Sequence, residues 1–296
     1  MYRAADRSIV ARSKVLSILT GSPLVALQHA MPRDEFFAAI AILGCANGLV
    51  ARAVQTVNTV GWTDGLIGTF GISAVVWIAC FIGIAELLHH KTDQIRTSDV
   101  AIGAGLLLLI ILPIGHLSWM AVTVLSLYIL IFADDHSSRR RGAIILLATT
   151  VPMLWSRMLF NLFANVLLEI DAWLVGWLLG TDRVGNMVRF ADDTGYLVVF
   201  PSCSSVANIS LAFLCWVTIS ASLRHRWSPQ DLLWGFFACA SVVTVNVTRM
   251  GLMGLSQQNF EAIHSQWGDA IANVIMLGLA VGFSILGVRR EIFVRA

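Results

Sequence analysis

The chain has 296 residues, of which 57% are hydrophobic and only 13% are charged. Soluble domains carry about 25% charged residues, so this composition excludes an ordinary soluble domain and predicts a polytopic membrane protein. The net charge of +2 is too small to indicate a nucleic-acid partner. We therefore expect an all-α fold, a helical bundle that is embedded in a membrane and surrounded by membrane lipid.

The N-terminal segment, residues 1–35, lacks the pattern of a cleaved signal peptide. Four cations lie within residues 1–14, but no apolar run with a small-residue cleavage site follows them. Gly21, Ser22 and Pro23 interrupt the stretch 15–27, which we expect at the membrane interface or disordered. We predict that residues 1–35 are cytoplasmic and that the first spanning helix is retained as its own insertion signal.

Apolar runs long enough to cross a bilayer, which takes about 17–25 residues, recur along the rest of the chain. They fall at 36–57, 66–88, 99–115, 118–133, 142–157, 204–222, 230–249 and 268–288. The pattern predicts one transmembrane domain over 36–288 with about eight transmembrane helices. A cytoplasmic tail at 289–296 follows it.

The basic residues set the predicted orientation. Beyond the N-terminus they cluster at Lys91 and Arg96, at Arg139, Arg140 and Arg141, at Arg224 and Arg226, and at Arg289, Arg290 and Arg295. The connectors at 58–64, 115–118 and 251–267 are nearly free of lysine and arginine. About eight crossings of the inner (cytoplasmic) membrane place every basic cluster on the cytoplasmic side, as the positive-inside rule requires. Both termini are then cytoplasmic.

Residues 158–180 are apolar but contain several polar side chains, Asn161, Asn165, Glu169 and Asp171. A further crossing here would move the later basic clusters to the outside. We therefore predict an amphipathic helix on the outer face, with Trp173 and Trp177 at headgroup depth. The loop 181–202 then lies outside as well.

One cysteine differs from the others in its predicted position. Four of the five fall within predicted spans, where a free cysteine packs as a small hydrophobe: Cys45, Cys80, Cys215 and Cys239. Cys203 lies at an outer boundary, directly before a helix that we expect to start near Ser204. No second cysteine is predicted on that side to form a disulfide. Because a helix N-terminus favours a thiolate, Cys203 is a candidate nucleophile, and an inert interfacial thiol is the alternative.

Arg249 ends an apolar run and follows Asn246 by three residues, so the two share a helix face. A charge at the end of a span can simply extend to the headgroups. Arginine is less expected on the outer side, however, where the positive-inside bias disfavours it. A guanidinium there could stabilise an oxyanion as a carbonyl carbon becomes tetrahedral.

His264 lies just before the last predicted span, on the same outer side. Near a thiol, an imidazole can accept its proton and later protonate a leaving amine, and a solvated loop histidine is the alternative. His116 is a second candidate for this role. Glu261 and His264 also form an E-x-x-H pair, but no second pair accompanies it, so we expect neither a metal nor another cofactor.

The order of Cys203, Arg249 and His264 at the outer ends of the late helices resembles the exosortase/archaeosortase family of membrane transpeptidases. The resemblance covers roughly residues 100–288 and includes Gly180, which follows the apolar outer segment.

The chain departs from that family directly after the cysteine. The family usually has Cys-Ser-Gly, whereas this chain has Cys203-Ser204-Ser205. If the family glycine lets a substrate backbone approach closely, Ser205 narrows the channel or alters the substrate motif.

The resemblance implies a cysteine protease or transpeptidase that cleaves C-terminal sorting signals of secreted proteins outside the membrane. Such substrates carry a short motif, a hydrophobic helix and a basic tail. Cys203 would attack a peptide carbonyl and form a thioester, Arg249 would stabilise the oxyanion, and His264 would transfer protons. An amine or water would then release the product.

Arg183 and Arg189 in the outer loop are candidates for contacting an acidic substrate motif. Three nearby carboxylates could pair with them instead: Asp182, Asp192 and Asp193.

Two other functions fit the composition. A small-solute transporter predicts ionisable residues near mid-bilayer, whereas Arg52, Glu86 and Arg157 lie close to span ends. A non-catalytic membrane subunit of a polysaccharide-export system would tolerate replacement of Cys203.

Overall fold

A computed structural model describes residues 31–89, 94–134, 137–225 and 228–295. The predicted interfacial stretch 15–27 lies outside the described residues, as do Lys91 and Arg226.

The described chain is mainly helical. Its α-helices are α1 (Arg33–Val60), α2 (Trp62–Ile67), α3 (Ala74–Leu88), α4 (Thr97–Ile111), α5 (Gly115–Phe132), α6 (Ser138–Thr150), α7 (Ser156–Leu179), α8 (Ser205–Ser222), α9 (Pro229–Met253), α10 (Gln257–Ile263) and α11 (Gln266–Arg295). A π-helical segment over Val151–Trp155 joins α6 to α7, and 3₁₀-helical turns lie at Thr69–Gly71 and Pro201–Cys203.

The helices confirm a membrane-type helical bundle. Six stretches of the described chain are long and apolar enough to cross a membrane. They lie in α1, α5, α6 with α7, α8 with its preceding turn, α9 and α11. Two further apolar helices, α3 and α4, have 15 residues each, about 22 Å, which is shorter than a bilayer core of about 30 Å. The number of eight crossings therefore stays a prediction.

Close approach of helix backbones holds the bundle centre together. A Cβ on Gly142 of α6 would lie 2.7 Å from the carbonyl oxygen of Gly83 on α3, so only glycine fits there. Trp119 of α5 similarly lies where a Cβ on Gly48 of α1 would stand. Small residues at such crossings let membrane helices pack when lipid supplies no hydrophobic drive.

Buried ion pairs fasten the helix ends at one end of the bundle. Arg33 at the start of α1 donates two hydrogen bonds to Asp99 at the start of α4, at 2.7 and 2.9 Å. Asp99 also accepts the hydroxyl of Tyr128 from the end of α5 at 2.7 Å. Two more pairs join Arg139 to Asp34 and Arg141 to Glu86. We call this the basic end, because Arg33 meets two arginines of the 139–141 cluster there.

The opposite end carries a small sheet that the sequence did not predict. Strands β1 (Arg183–Val184), β2 (Met187–Arg189) and β3 (Tyr196–Val198) pair antiparallel in that order. The turn between β1 and β2 contains Gly185 at φ +60°, which glycine adopts without strain. We call this end the sheet end of the bundle.

The sheet end has its own apolar core. Val188 and Leu197 of the sheet, Leu168 and Val175 of α7, and Met250 of α9 are all buried in one cluster. The end of α7 also presses on the end of α9, because a Cβ on Gly254 would lie 2.4 Å from Leu179. The chain over 158–180 is thus tied to the end of α9, and its predicted place on the outer face of a membrane stays a prediction.

We predict that Arg33→Ala lowers the free energy of unfolding by about 3 kcal/mol or more, because it leaves the Asp99 carboxylate buried without its cation. Thermal unfolding of the purified protein in detergent checks this. Arg183→Ala is the matched control, since that exposed side chain donates only to the carbonyl of Gly185. Equal unfolding temperatures for both variants would contradict a stabilising role for the pair.

Candidate functional site

Cys203 lies at the end of the 3₁₀ turn that leads into α8. Its residue is only 8% exposed and belongs to the apolar cluster of the sheet end. Its sulfur lies 3.9 Å from the hydroxyl oxygen of Ser202. The predicted helix start is confirmed, because α8 begins at Ser205 with Ser204 as its N-cap. Cys203 therefore lies directly before a helix, as the sequence predicted, and is buried by packing; its place on the outer side of the membrane stays a prediction.

Asn246 fixes the backbone around this cysteine. Its side-chain amide donates to the carbonyl oxygen of Cys203 at 2.7 Å and to the hydroxyl oxygen of Ser205 at 3.1 Å. Asn246 is only 1% exposed, so this is a buried link between α9 and the start of α8. Ser205, where the chain departs from the family pattern, thus forms part of the anchor.

Asp171 is a residue of this site that sequence reasoning did not assign. Its carboxylate accepts the backbone N–H of Ser205 at 3.0 Å, and its residue is buried. The hydroxyl oxygen of Ser204 accepts the next amide, from Val206. The carboxylate and the cap, and not the thiol, therefore satisfy the first free amides of α8. An aspartate inside the apolar run 158–180 was the only sequence signal for it.

His264 shares a cleft with Cys203. It follows the last residue of α10, and its ring stacks on Phe260 with centroids 5.1 Å apart. Both Cys203 and His264 line one narrow cleft, together with Phe200 and Met250. Its cavity volume of about 10 Å³ is close to the space that one water molecule needs. A substrate would have to part the covering side chains to reach the sulfur.

Arg249 lies one turn before the end of α9 and is not among the residues that line this cleft. Its guanidinium pairs with the carboxylate of Asp269 at the start of α11. Asp269 is 46% exposed at its side chain, while the Arg249 side chain is 13% exposed. The Nε atom of Arg249 is buried and has no hydrogen-bond partner. The sequence did not single out Asp269 as a partner of Arg249. Acidic residues are common in the first turn of helices, so its position carried no specific signal.

The three predicted catalytic residues converge only in part. Cys203 and His264 line one cleft. Arg249 does not line it, but Asn246, one turn earlier on α9, bonds to the backbone of Cys203. Within the described residues no direct hydrogen bond joins the Cys203 sulfur to His264 or Arg249. His116 is exposed in the first turn of α5 and does not line the cleft.

The two outer-loop arginines lie in or beside the sheet. Arg189 pairs with Asp193 at 3.0 Å, and Arg183 donates to the carbonyl oxygen of Gly185 at 3.3 Å. Hydrogen bonds from the hydroxyl and the amide of Thr194 hold the pKa of Asp192 below its usual value. Arg189 thus has the acidic neighbour that the sequence offered as an alternative, and its contact with a substrate stays a prediction.

The sequence also offered Glu261 and His264 as a possible metal-binding pair. Within the described ranges, no group of three or more histidine, cysteine, aspartate or glutamate side chains could hold a metal ion. The amide of Gln257 instead donates to Glu261 at 3.3 Å.

Comparison with known proteins returned no match to a protein-family model, to a curated protein or to a solved structure. The resemblance to the exosortase/archaeosortase family therefore rests on the order of the residues named above.

We predict that Asn246→Leu costs about 1–3 kcal/mol of stability, because it leaves the Cys203 carbonyl buried without a donor. The same substitution should also speed the alkylation of Cys203 by maleimide. Peptide mass spectrometry measures the rate at which Cys203 is modified. Ser205→Ala is the matched comparison, since it removes one of the two hydrogen bonds and keeps the carbonyl anchored. If Asn246→Leu reacted no faster than Ser205→Ala, the anchor would not control access to the thiol.

Proposed function

We propose that the chain is a membrane-embedded cysteine protease or transpeptidase that cleaves C-terminal sorting signals of secreted proteins. The observation that carries the proposal is the cleft that Cys203 and His264 line together at the sheet end. A nucleophile and a candidate base that share one cleft meet the first geometric requirement for covalent catalysis. The substrates have a short motif, a hydrophobic helix and a basic tail, as the family resemblance implies.

The reaction proceeds in two stages. His264 accepts the thiol proton, and the Cys203 sulfur attacks the scissile peptide carbonyl to form a tetrahedral oxyanion. The C–N bond then breaks, His264 protonates the leaving amine, and the acyl group stays on the sulfur as a thioester. An amine or water attacks this thioester and regenerates the thiol. The narrow cleft must open for substrate, and its apolar lining then excludes bulk water from the thioester.

Arg249 supplies positive charge for the oxyanion in this proposal. Asn246, which holds the Cys203 carbonyl, lies one turn before Arg249 on the same face of α9. Asp269 positions the guanidinium through an ion pair that is half open to solvent. The Nε–H of Arg249 is buried and unpartnered, and in this proposal it donates to the oxyanion once the cleft has opened.

We also propose that the sheet end faces the outside of the cytoplasmic membrane. Arg33 lies at the basic end together with Arg139 and Arg141 of one basic cluster, which suits the cytoplasmic side. One face of α7 exposes an apolar stripe that includes Leu162, Val166, Trp173 and Trp177, while the other face packs on the sheet-end core. Such a helix fits the surface of the outer leaflet with its tryptophans at headgroup depth.

Replacement of the three catalytic residues tests the chemistry. We predict that Cys203→Ala abolishes cleavage and that His264→Ala slows it about 10²–10⁴-fold. Arg249→Ala should slow it about 10²–10³-fold, as loss of an oxyanion donor does. The measurement is the accumulation of an uncleaved secreted precursor from the same genome that carries the motif, helix and basic tail.

Two variants serve as controls for this experiment. Cys239→Ala removes a half-buried thiol of α9 and should process the precursor at the wild-type rate. Asp269→Asn keeps Arg249 but removes its carboxylate, so processing should slow without stopping. If all three catalytic variants were expressed normally and still processed the precursor normally, the proposed catalytic activity would be refuted.

Orientation has a separate test. Val184→Cys lies on exposed β1 at the sheet end and should react with an impermeant maleimide on intact cells. Gln94→Cys, exposed at the basic end, should react only after permeabilisation. The wild-type protein gives the background from its five native cysteines. The reverse pattern would place the candidate site in the cytoplasm.

A further inference from the structure

Strand β3 leads directly into the candidate site and lies at an edge of its sheet. The strand order is β1, β2, β3, so within the described residues β3 pairs with another strand on one side only. After Val198 the chain continues into the 3₁₀ turn Pro201–Cys203, which ends at the candidate nucleophile. The other edge strand, β1, has two residues and does not line the cleft. β3 therefore offers a strand edge close to Cys203 along the chain.

The register of the sheet shows which backbone groups of β3 do not bond to β2. The amide of Val199, one residue past the strand, donates to the carbonyl oxygen of Asn186 at 2.9 Å. In an antiparallel pair, alternate residues direct their N–H and C=O groups to the partner strand, and the residues between them direct theirs away. Leu197 therefore bonds to β2 as Val199 does. Tyr196 and Val198 direct their N–H and C=O groups to the other side, which we call the open edge of β3.

The same strand lines the cleft that contains the two candidate catalytic side chains. Residues 197–200 line it together with Cys203 and Met250, and Phe260 and His264 belong to the same lining. Apart from the cysteine and the histidine, the side chains of this lining are apolar. An extended peptide in the cleft would therefore have the main chain of β3 beside it and the thiol within the same space.

Helix α10 is the part of the cleft wall that opens at the lowest cost. A volume of about 10 Å³ does not hold a peptide, so the cleft must widen to admit one. None of the seven residues of α10 is buried, whereas Leu197, Cys203 and Met250 belong to the buried core of the sheet end. Elements with few buried apolar contacts open most readily. Displacement of α10 widens the cleft and leaves β3 and Cys203 in place.

We propose that the peptide substrate of Cys203 binds as an extended strand along the open edge of β3, between that strand and α10. The proposal rests on the function proposed above and adds the form in which the sorting motif is recognised. The N–H and C=O groups of Tyr196 and Val198 bond to the peptide main chain, which gives affinity for any sequence. Alternate side chains of the motif face the apolar lining at Met250 and Met253, which selects apolar residues at every second position.

An electrophilic peptide tests strand addition without a natural substrate. The probe is a five-residue peptide of alternating valine and threonine with a C-terminal vinyl sulfone, which alkylates thiols. The full-length protein in detergent is treated with this probe or with methyl vinyl sulfone, and peptide mass spectrometry gives the rate of Cys203 modification. We expect the peptide to react about tenfold faster than methyl vinyl sulfone, because pairing with β3 raises its local concentration at the thiol.

A proline at the open edge removes one donor of the pairing. Val198→Pro should lower the ratio of the two rates about 2–10-fold, as loss of one hydrogen bond does. Val198→Ala is the matched comparison, since it shortens the side chain but keeps the N–H, and it should lower the ratio less. The Val198 amide points away from β2, so Val198→Pro should unfold near the wild-type temperature. Leu197→Pro removes a donor inside the sheet and should unfold earlier.

N-methylation of the probe provides a second measurement on the wild-type protein. Methyl groups on the peptide nitrogens should slow labelling at every second position, because alternate N–H groups of an added strand face β3. This series decides the question if Val198→Pro fails to fold.

Three outcomes would overturn strand addition: equal rates for the two wild-type probes, equal ratios for Val198→Pro and Val198→Ala, or N-methyl effects without a two-residue period. Failure of the catalytic proposal is a different result. Precursor processing by Cys203→Ala would refute catalysis, whereas the labelling pattern of the wild-type protein would still report whether a peptide pairs with β3.

Discussion

A buried charge in a membrane protein needs a partner, and at the basic end of this bundle one carboxylate serves several groups. Asp99 is fully buried and accepts from Arg33, from the Tyr128 hydroxyl and from the backbone amide of Arg96. The pairs of Arg139 with Asp34 and of Arg141 with Glu86 extend this arrangement to α6 and α3. Removal of one member would leave its partner buried without a counter-charge, which is strongly destabilising. These pairs therefore fix which helix ends lie together.

At the candidate site, side-chain hydrogen bonds hold the backbone around Cys203. Asn246 holds the carbonyl of Cys203 and the hydroxyl of Ser205, while Asp171 holds the amide of Ser205. Three helices thus meet at one turn of backbone, and the cysteine side chain is left to face the cleft. An anchored backbone can hold the Cys203 thiol in one position, as the proposed reaction requires before a substrate arrives.

Hydropathy predicted much of the fold, because lipid forces long apolar runs into helices whose backbone groups pair internally. The expected run 204–222 is helix α8, Ser205–Ser222, and the run 230–249 lies inside α9. The sheet was missed because strands of two or three residues carry no periodic pattern. The partners Asp171 and Asp269 were missed because each contact joins residues far apart in sequence, which spacing alone does not reveal.

Ser205 stands where the exosortase/archaeosortase pattern, which the chain resembles, has a glycine, and this geometry gives the serine a physical role. Ser205 is buried, so its hydroxyl does not project into the cleft that Cys203 and His264 line. It instead gives the Asn246 amide a second acceptor, which a glycine could not supply. The side chain therefore stiffens the turn that carries the thiol and leaves the cleft lining unchanged. Any effect of Ser205 on substrate choice must then act through the rigidity of that turn.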